Sequence, residues 1–502
     1  GIAFGAVYKL CSSLMVTVDN TVKQVSIGLW DHGWQGFYTL SGKLNETTAY
    51  AKSKTTFYLG AEFSPALLGV GYIVGPAIAS FVFFGGLLGA LVIMPIASTL
   101  LNPTDAFIEQ ISTAAMNGEI VNYGDYANHI NGRRRMVGVG TMLVGGLYTL
   151  VVMREALIKG ITEMIDATKS NVSDTSKKRT DEDLPARSIA ITSAAMAIPM
   201  FFMVWIVSGL LLPAILSLLI IFTAGFLFAA VAGYMAGIVG SSNNPLSGVT
   251  IIVVILTATT FALVNSLIYG GENTTELQVA VIGVAAFVAC AGAISGDNLQ
   301  DLKTGNIVGA TPWKQQLMQL VGVISSAMTL GIVLILLHEA YGIGGHDLPA
   351  PQAVLMTNVA KGVFAGDLEW GMIYAGAVIG VLIILLDQYQ LRRGADFRFP
   401  ILAVAIGIYL PIELTFPIFI GGMLNHYAGK TASQKGKDNG LLVAAGLITG
   451  EALMAIFIAI PLFFDKNFWP SYPLSGLISL SDIVGVIILF YIARRLYMIA
   501  SK

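Results

Sequence analysis

The chain has 502 residues, of which 55% are apolar and only 12% charged, with a formal net charge of −2 and a mean hydropathy of +0.75. Soluble domains run near a quarter charged, so this composition excludes an ordinary soluble fold and predicts a multi-pass protein of the lipid bilayer. The small net charge gives no global field and argues neither for nor against an acidic partner, though no nucleic acid is expected, and the two cysteines, Cys11 and Cys290, lie in apolar runs and make no disulfide framework.

Apolar runs of the length needed to cross a bilayer core of about 30 Å recur along the whole chain. Backbone groups in lipid must be paired internally, and the runs lack the period-two alternation of an outer-membrane barrel. The predicted fold class is therefore all-α and polytopic. In chain order the segments fall at about 1–18, 64–101, 136–153, 188–208, 210–234, 246–269, 277–294, 317–338, 370–388, 400–424, 440–464 and 477–493. They make about a dozen segments in a single integral membrane domain over 1–502, and 64–101 is too long for one simple crossing. Soluble loops are expected at about 19–57, 102–135 and 159–187, the last with Lys169, Lys177, Lys178, Arg179 and Arg187 among six acids. Gly1 opens directly in an apolar run with no charged leader, so part of the natural protein is expected upstream of this numbering.

The chain repeats itself. FSPALLGVGYIVGPAIASFVFFGG, ending at Gly86, matches FPILAVAIGIYLPIELTFPIFIGG, ending at Gly422, with Pro65 over Pro400, Gly71 over Gly407 and Pro76 over Pro411, allowing one gap. The repeat-like halves cover about 60–155 and 395–465. Internal duplication of broken apolar segments is the mark of a secondary transporter. The distribution of basic residues favours inverted copies, with 400–424 a re-entrant hairpin broken near Pro411 and Pro417. Arg133, Arg134 and Arg135 violate that scheme.

Four places carry chemistry. GSSNNPLSGVTI at Gly240 is a hydrophilic knot in which Asn244 caps a helix started by Pro245, with Asn243 and Ser247 beside it. A helix N-terminus at depth suits a substrate carboxylate; a surface turn with an ordinary cap is the plainer alternative. SGDNLQDLKTGNIVGATPWKQQ at Ser295 places Asp297 and Asp301 one helical turn apart, with Asn298 and Lys303 nearby. That cluster binds a peptide amine or carries a proton, or is a loop with local ion pairs. Glu413 and Glu451 each lie inside a membrane-length run, where an ionised carboxylate costs about 2.5–3.5 kcal/mol. Each is either a proton acceptor or paired with a neighbouring helix. Asp387, at a segment end beside Arg392, is explained by snorkelling.

These motifs, with the GVGYIVG run at Gly69 and LPIELTFPIFIGGML at Leu410, resemble the oligopeptide transporter superfamily, which also holds the yellow-stripe-like metal-chelate carriers. The resemblance spans about Gly60 to Gly450 and is closer to the prokaryotic branch. It implies a proton-coupled symporter of small oligopeptides, or alternatively of metal complexes with siderophore- or nicotianamine-like chelators, in a cell membrane. The family's chains carry more N-terminal spans than precede GVGYIVG here. The predicted substrate-binding set is Asn243, Asn244, Ser247, Asp297, Asn298, Lys303 and Tyr409, and the proton-coupling set is Glu413, Glu451 and Asp301. Substrate is expected where the Asn244-capped helix meets the Pro411 break. No cofactor is expected: the proton is the coupling ion, and metal enters only as part of a chelate. The expected partners are the substrate and the bilayer, with self-association open.

An intramembrane enzyme or an ion channel is the competing class. The aspartates in AISGD and FAGD and the serines in IVSG, PLSG and AISG all lack the leading glycine of the intramembrane protease motifs, and His338-Glu339 has no second histidine at zinc-protease spacing. His32, His129, His338, His346 and His426 are scattered, against a metal site. A channel filter is built from a short loop repeated around an oligomer, whereas this duplication is internal.

Overall fold

The computed structural model describes residues 1–16, 25–26, 60–61, 64–100, 123–152, 154, 158, 178–239, 246–271, 274–344, 348, 350–365, 369–394, 398–465 and 478–501. Apart from a two-residue antiparallel pairing of β1 (Val25–Ser26) with β2 (Gly60–Ala61), its regular structure is helical. Among the described residues eight helices are long and apolar enough to cross a bilayer. The chain forms two compact units: Gly1–Thr141 with Trp370–Lys502, and Met142–Glu369.

The first unit holds α1 (Ile2–Val16), α2 (Pro65–Leu88), α3 (Met94–Leu100) and most of α4 (Tyr123–Val152). Helical backbone fails within α2 at Gly75, whose φ is +82°, immediately before Pro76. Proline disfavours helical backbone before it and lacks an N–H, while glycine accepts positive φ without a steric penalty. A π-turn at Gly89–Ile93 then links α2 to α3. The over-long run at 64–101 is thus a helix broken near its middle and continued through a π-turn.

The 400–424 run divides in the same way. After α11 (Trp370–Arg392), the chain forms α12 (Ile401–Tyr409) and α13 (Ile412–Thr431), separated by extended backbone at Leu410 and Pro411. Pro417, expected as a second break, lies within α13 without ending it. Next come α14 (Gln434–Phe464) and α15 (Ile478–Ala500). Leu496 and Ala500 of α15 join Leu68, Tyr72, Ala428, Ala444 and Leu447 in a common core.

Glycines set the crossing of α2 with α12 and α13. A Cβ on Gly71 would strike the backbone of Ile418, and one on Gly421 that of Leu68. Likewise a Cβ on Gly407 would strike Val82 and one on Gly85 would strike Val404. Small residues let helices approach to backbone contact, which matters in lipid, where apolar side chains gain little from leaving their solvent. The four contacts are reciprocal: exchanging Leu68 with Val404, Gly71 with Gly407, Val82 with Ile418 and Gly85 with Gly421 turns the set into itself.

The second unit contains α5 (Ala186–Ser208), α6 (Leu211–Val239), α7 (Leu246–Ile268), α8 (Thr274–Val308), α9 (Pro312–Tyr341) and α10 (Pro351–Ala365). The long α8 packs chiefly on α6 and also on α7, while α10 lies on α7. Gly233 admits Ser295 and Leu299 at the α6–α8 crossing, where the Ser295 hydroxyl donates to the Ala229 carbonyl.

Two expectations are corrected. Arg133, Arg134 and Arg135 belong to α4 instead of a loop, and Arg134 is 2% exposed. Loop-charge counting does not apply to a buried helical side chain, so Arg134 is no argument against inverted copies. Asp387 does not snorkel: it is buried and ion-paired to Arg398.

Candidate functional site

Both helix breaks of the first unit have polar side chains bonded to their backbone. At the α12–α13 break, Arg134 reaches from α4 to the carbonyl end of α12. Its Nη1 donates to the carbonyls of Ile408 at 2.5 Å and Leu410 at 3.0 Å, and its Nη2 to that of Tyr409 at 3.4 Å. Its Nε donates to Asn131 Oδ1 at 2.8 Å. The last carbonyls of a helix lack intrahelical partners and carry partial negative charge, so a guanidinium satisfies them both as donor and as cation. Room for it comes from Gly89 in the π-turn, where a Cβ would lie 2.8 Å from Nη1.

Tyr409, predicted to bind substrate, is 1% exposed. Arg135 lies over its ring at 5.9 Å, and Gly138 packs against its Cβ. Its side chain therefore serves packing in this conformation and presents no surface to a ligand. Glu413 lies in the first turn of α13, half-buried, where the helix dipole favours a carboxylate. The Thr415 hydroxyl two residues on donates to the Ile412 carbonyl at 3.0 Å. On the facing side Phe83 stacks on Phe419 at 4.8 Å and tilts against Phe416 at 5.9 Å. At the α2 break, Asn425 Nδ2 donates to the Tyr72 carbonyl at 2.9 Å, and a Cβ built on Gly75 would meet nothing within 4 Å.

The starts of both broken helices are held by carboxylates from neighbouring helices. Glu451 of α14 accepts from the Ala66 N–H at 3.0 Å and from the Ser64 hydroxyl at 3.2 Å; Ser64 Oγ in turn accepts from the Leu67 N–H at 3.3 Å. Asp387 of α11 accepts from the Phe399 N–H at 2.9 Å and from Arg398 at 2.8 and 2.6 Å. Anionic acceptors at a helix N-terminus satisfy orphan N–H groups and complement the dipole. Glu451 therefore stands in the arrangement expected of a carboxylate paired with a neighbouring helix.

In the second unit the residues of the Ser295 motif build a helix hairpin. Asp297, Asp301 and Lys303 are exposed on α8, and Asn298 is half-buried with its Oδ1 enclosed and unpartnered. Asp301 Oδ2 accepts from Gln319 at 3.0 Å, and its carbonyl accepts from Gln315 at 3.1 Å, both on α9. Gly305 makes way for Gln315, and Gly309 turns the chain at φ +75°. Arg179 clasps the turn, donating to the Gly309 carbonyl at 2.9 Å and the Thr311 hydroxyl at 3.0 Å. Asp301 and Gln315 of this motif thus have structural partners within the hairpin. Asn243 and Asn244 lie outside the described residues; Ser247 is in the first turn of α7. Among the described residues no group of three or more His, Cys, Asp or Glu is disposed to hold a metal ion.

The sequence reading missed Arg134 and the Asp387–Arg398 pair. The available signals were the position of Arg134 directly before the apolar, glycine-dotted run at Val137 and the placement of Arg398 just ahead of the second repeat copy.

The profile of the family described as OPT oligopeptide transporter protein matches residues 35–462. A Haemophilus influenzae protein provisionally named an oligopeptide transporter is 31% identical over 476 residues, covering 88% of this chain and 73% of its own length. A probable metal-nicotianamine transporter of Oryza sativa subsp. japonica is 23% identical over 448 residues, 84% of this chain and 60% of its own length. A Saccharomyces cerevisiae protein, also provisionally named an oligopeptide transporter, is 29% identical over 171 residues, 32% of this chain and 23% of its own length. The chain thus spans less than two thirds of the last two relatives. Motif, helical architecture and similarity agree that this chain belongs to the OPT oligopeptide transporter family, multi-pass membrane transporters and not enzymes.

Proposed function

We propose that the protein is a proton-coupled symporter of small oligopeptides that works by alternating access. The observation that carries this reading is the reciprocal crossing of two broken helices, α2 against α12–α13. Two repeats that cross through a contact symmetric under their exchange can trade conformations about it, which is what a carrier open first to one side and then to the other requires. The breaks supply flexible backbone, and α13 brings Glu413 to one of them. Protonation of Glu413 removes a charge from the first turn of α13 and so biases the pair between its arrangements.

A metal-chelate substrate is the second reading, favoured by the rice relative's name and its 84% coverage of this chain. Both readings are tested by one assay. Proteoliposomes under an inward proton gradient are offered a di- to hexapeptide pool together with a ferric chelate, and the lumen is read by mass spectrometry. Gradient-dependent enrichment of peptides is expected; enrichment of the chelate alone transfers the protein to the second reading. Glu413→Gln is expected to abolish gradient-driven accumulation while leaving substrate exchange partly intact. Normal accumulation by that variant removes Glu413 from the mechanism.

A further inference from the structure

We propose that Arg134 is a tethered cation of the α12–α13 break: its guanidinium supplies, from within the chain, the positive charge that the unwound carbonyl end of a broken transport helix otherwise takes from a bound coupling cation. Broken helices in transporters commonly present unwound carbonyls and half-helix C-termini to sodium or protons. Here three consecutive carbonyls, those of Ile408, Tyr409 and Leu410, already converge on one buried guanidinium. The side chain is fixed at its neck by Asn131 and accommodated by the π-turn at Gly89, so it is built in as a ligand would be. A planar fork with five donors can serve several carbonyls at once, which an ammonium cannot do as well.

Two consequences separate this role from simple packing. No inorganic cation is needed at this carbonyl end, so sodium does not drive the carrier through it. The charge, and not only the volume, of Arg134 holds residues 408–410 in place, making it a positioning residue for the moving break. The inference deepens the alternating-access reading and rests on it for its meaning, but its test does not require a known substrate.

The test is hydrogen–deuterium exchange of the intact chain in detergent, read on peptides covering 401–412. Arg134→Gly is expected to raise exchange there at least tenfold while peptides from α6 and α8 stay as in the wild type. Guanidinium chloride at about 10 mM, far below denaturing strength, should return exchange to within about threefold of wild type. Urea at the same concentration, planar and carrying two of the three amino groups but no charge, should not. Wild-type exchange in Arg134→Gly, rescue by urea equal to that by guanidinium, or no rescue by either overturns the proposal.

Should Arg134→Gly fail to fold, Arg134→Lys keeps the positive charge with an ammonium in place of the fork, and Arg134→Met keeps the volume without the charge. The Lys variant is expected to exchange at 401–412 within about threefold of wild type and the Met variant at least tenfold faster; equal exchange in the two overturns the proposal equally. In proteoliposomes, replacing all sodium with choline is expected to leave wild-type uptake unchanged, and guanidinium is expected to restore the maximal rate of Arg134→Gly with little change in half-saturation. If the wild type accumulates neither peptide nor chelate, the proposed function fails while the exchange result on Arg134 still stands.

Discussion

Replacing Gly71 with alanine tests the reciprocal crossing most directly. The new Cβ would fall on the Ile418 carbonyl, with the Ile418 Cα only 2.8 Å away, whereas ordinary contacts of this kind lie at 3.4–4 Å. The obstruction is backbone and cannot rotate aside, so the two helices must separate by about 1 Å. Overpacking of this kind costs about 1–3 kcal/mol, against which alanine in a helix regains about 0.5–1 kcal/mol over glycine. A net loss of about 0–2.5 kcal/mol follows from the two terms, so the comparison that decides is with a control lacking the overpacking term of about 1–3 kcal/mol. Gly225→Ala in α6 is the matched control: its Cβ meets nothing within 4 Å, so only the favourable term of about 0.5–1 kcal/mol remains. Gly407→Ala meets Val82 as Gly71→Ala meets Ile418, and is expected to cost the same. Because either substitution opens one shared crossing, the double variant should lose less than the sum. Unfolding in mixed micelles, followed by circular dichroism, measures all four. A Gly71→Ala protein as stable as Gly225→Ala would show that the close crossing does not exist.

Other outcomes follow from the polar contacts. Glu451→Gln keeps an acceptor for the Ala66 N–H and should preserve both stability and gradient dependence, whereas Glu451→Leu leaves that N–H and Ser64 unsatisfied, costing about 1–3 kcal/mol. Loss of gradient dependence in the Gln variant alone would assign Glu451 to proton coupling. Asp387→Ala strands the Phe399 N–H, but Arg398 is 48% exposed and returns to water, so a loss nearer about 1–2 kcal/mol is expected. A double-mutant cycle with Arg398→Ala checks it, and zero coupling would reduce the ion pair to a surface contact. Arg179→Ala is expected to accelerate exchange at Gly309–Thr311 with little effect on overall stability, since Arg179 itself is exposed; unchanged local exchange would refute the clasp.

The apolar runs made the helical fold legible, and Pro76 and Pro411 marked both breaks because proline's effect on backbone is local. What the sequence did not reveal depends on contacts far apart in the chain. Three consecutive arginines before Val137 look like a loop end, and only the approach of α12 shows that Arg134 faces helix carbonyls. Asp387 looks like a snorkelling acid until the start of α12 is brought beside it. The Ser295 motif drew notice for its charge density, yet much of its composition follows from the geometry of a tight α8–α9 hairpin at Gly305 and Gly309. Polar residues in an apolar chain mark places where backbone groups need partners as readily as places where substrate binds.

The first unit is assembled from both ends of the chain, with the second unit inserted between them. Asn425 and its partner Tyr72 are 353 residues apart, and Glu451 is 387 residues from Ser64. At about 5–20 residues per second, the ribosome completes α2 on the order of 20–70 s before α13 exists to cross it. During that interval the glycine face of α2 and the unclaimed N–H groups at its start must wait in the membrane without their partners. Biogenesis of this carrier therefore depends on something holding a half-built broken helix in the bilayer, and variants that weaken Gly71 or Glu451 should be lost first as newly made protein, before any defect in transport can be measured.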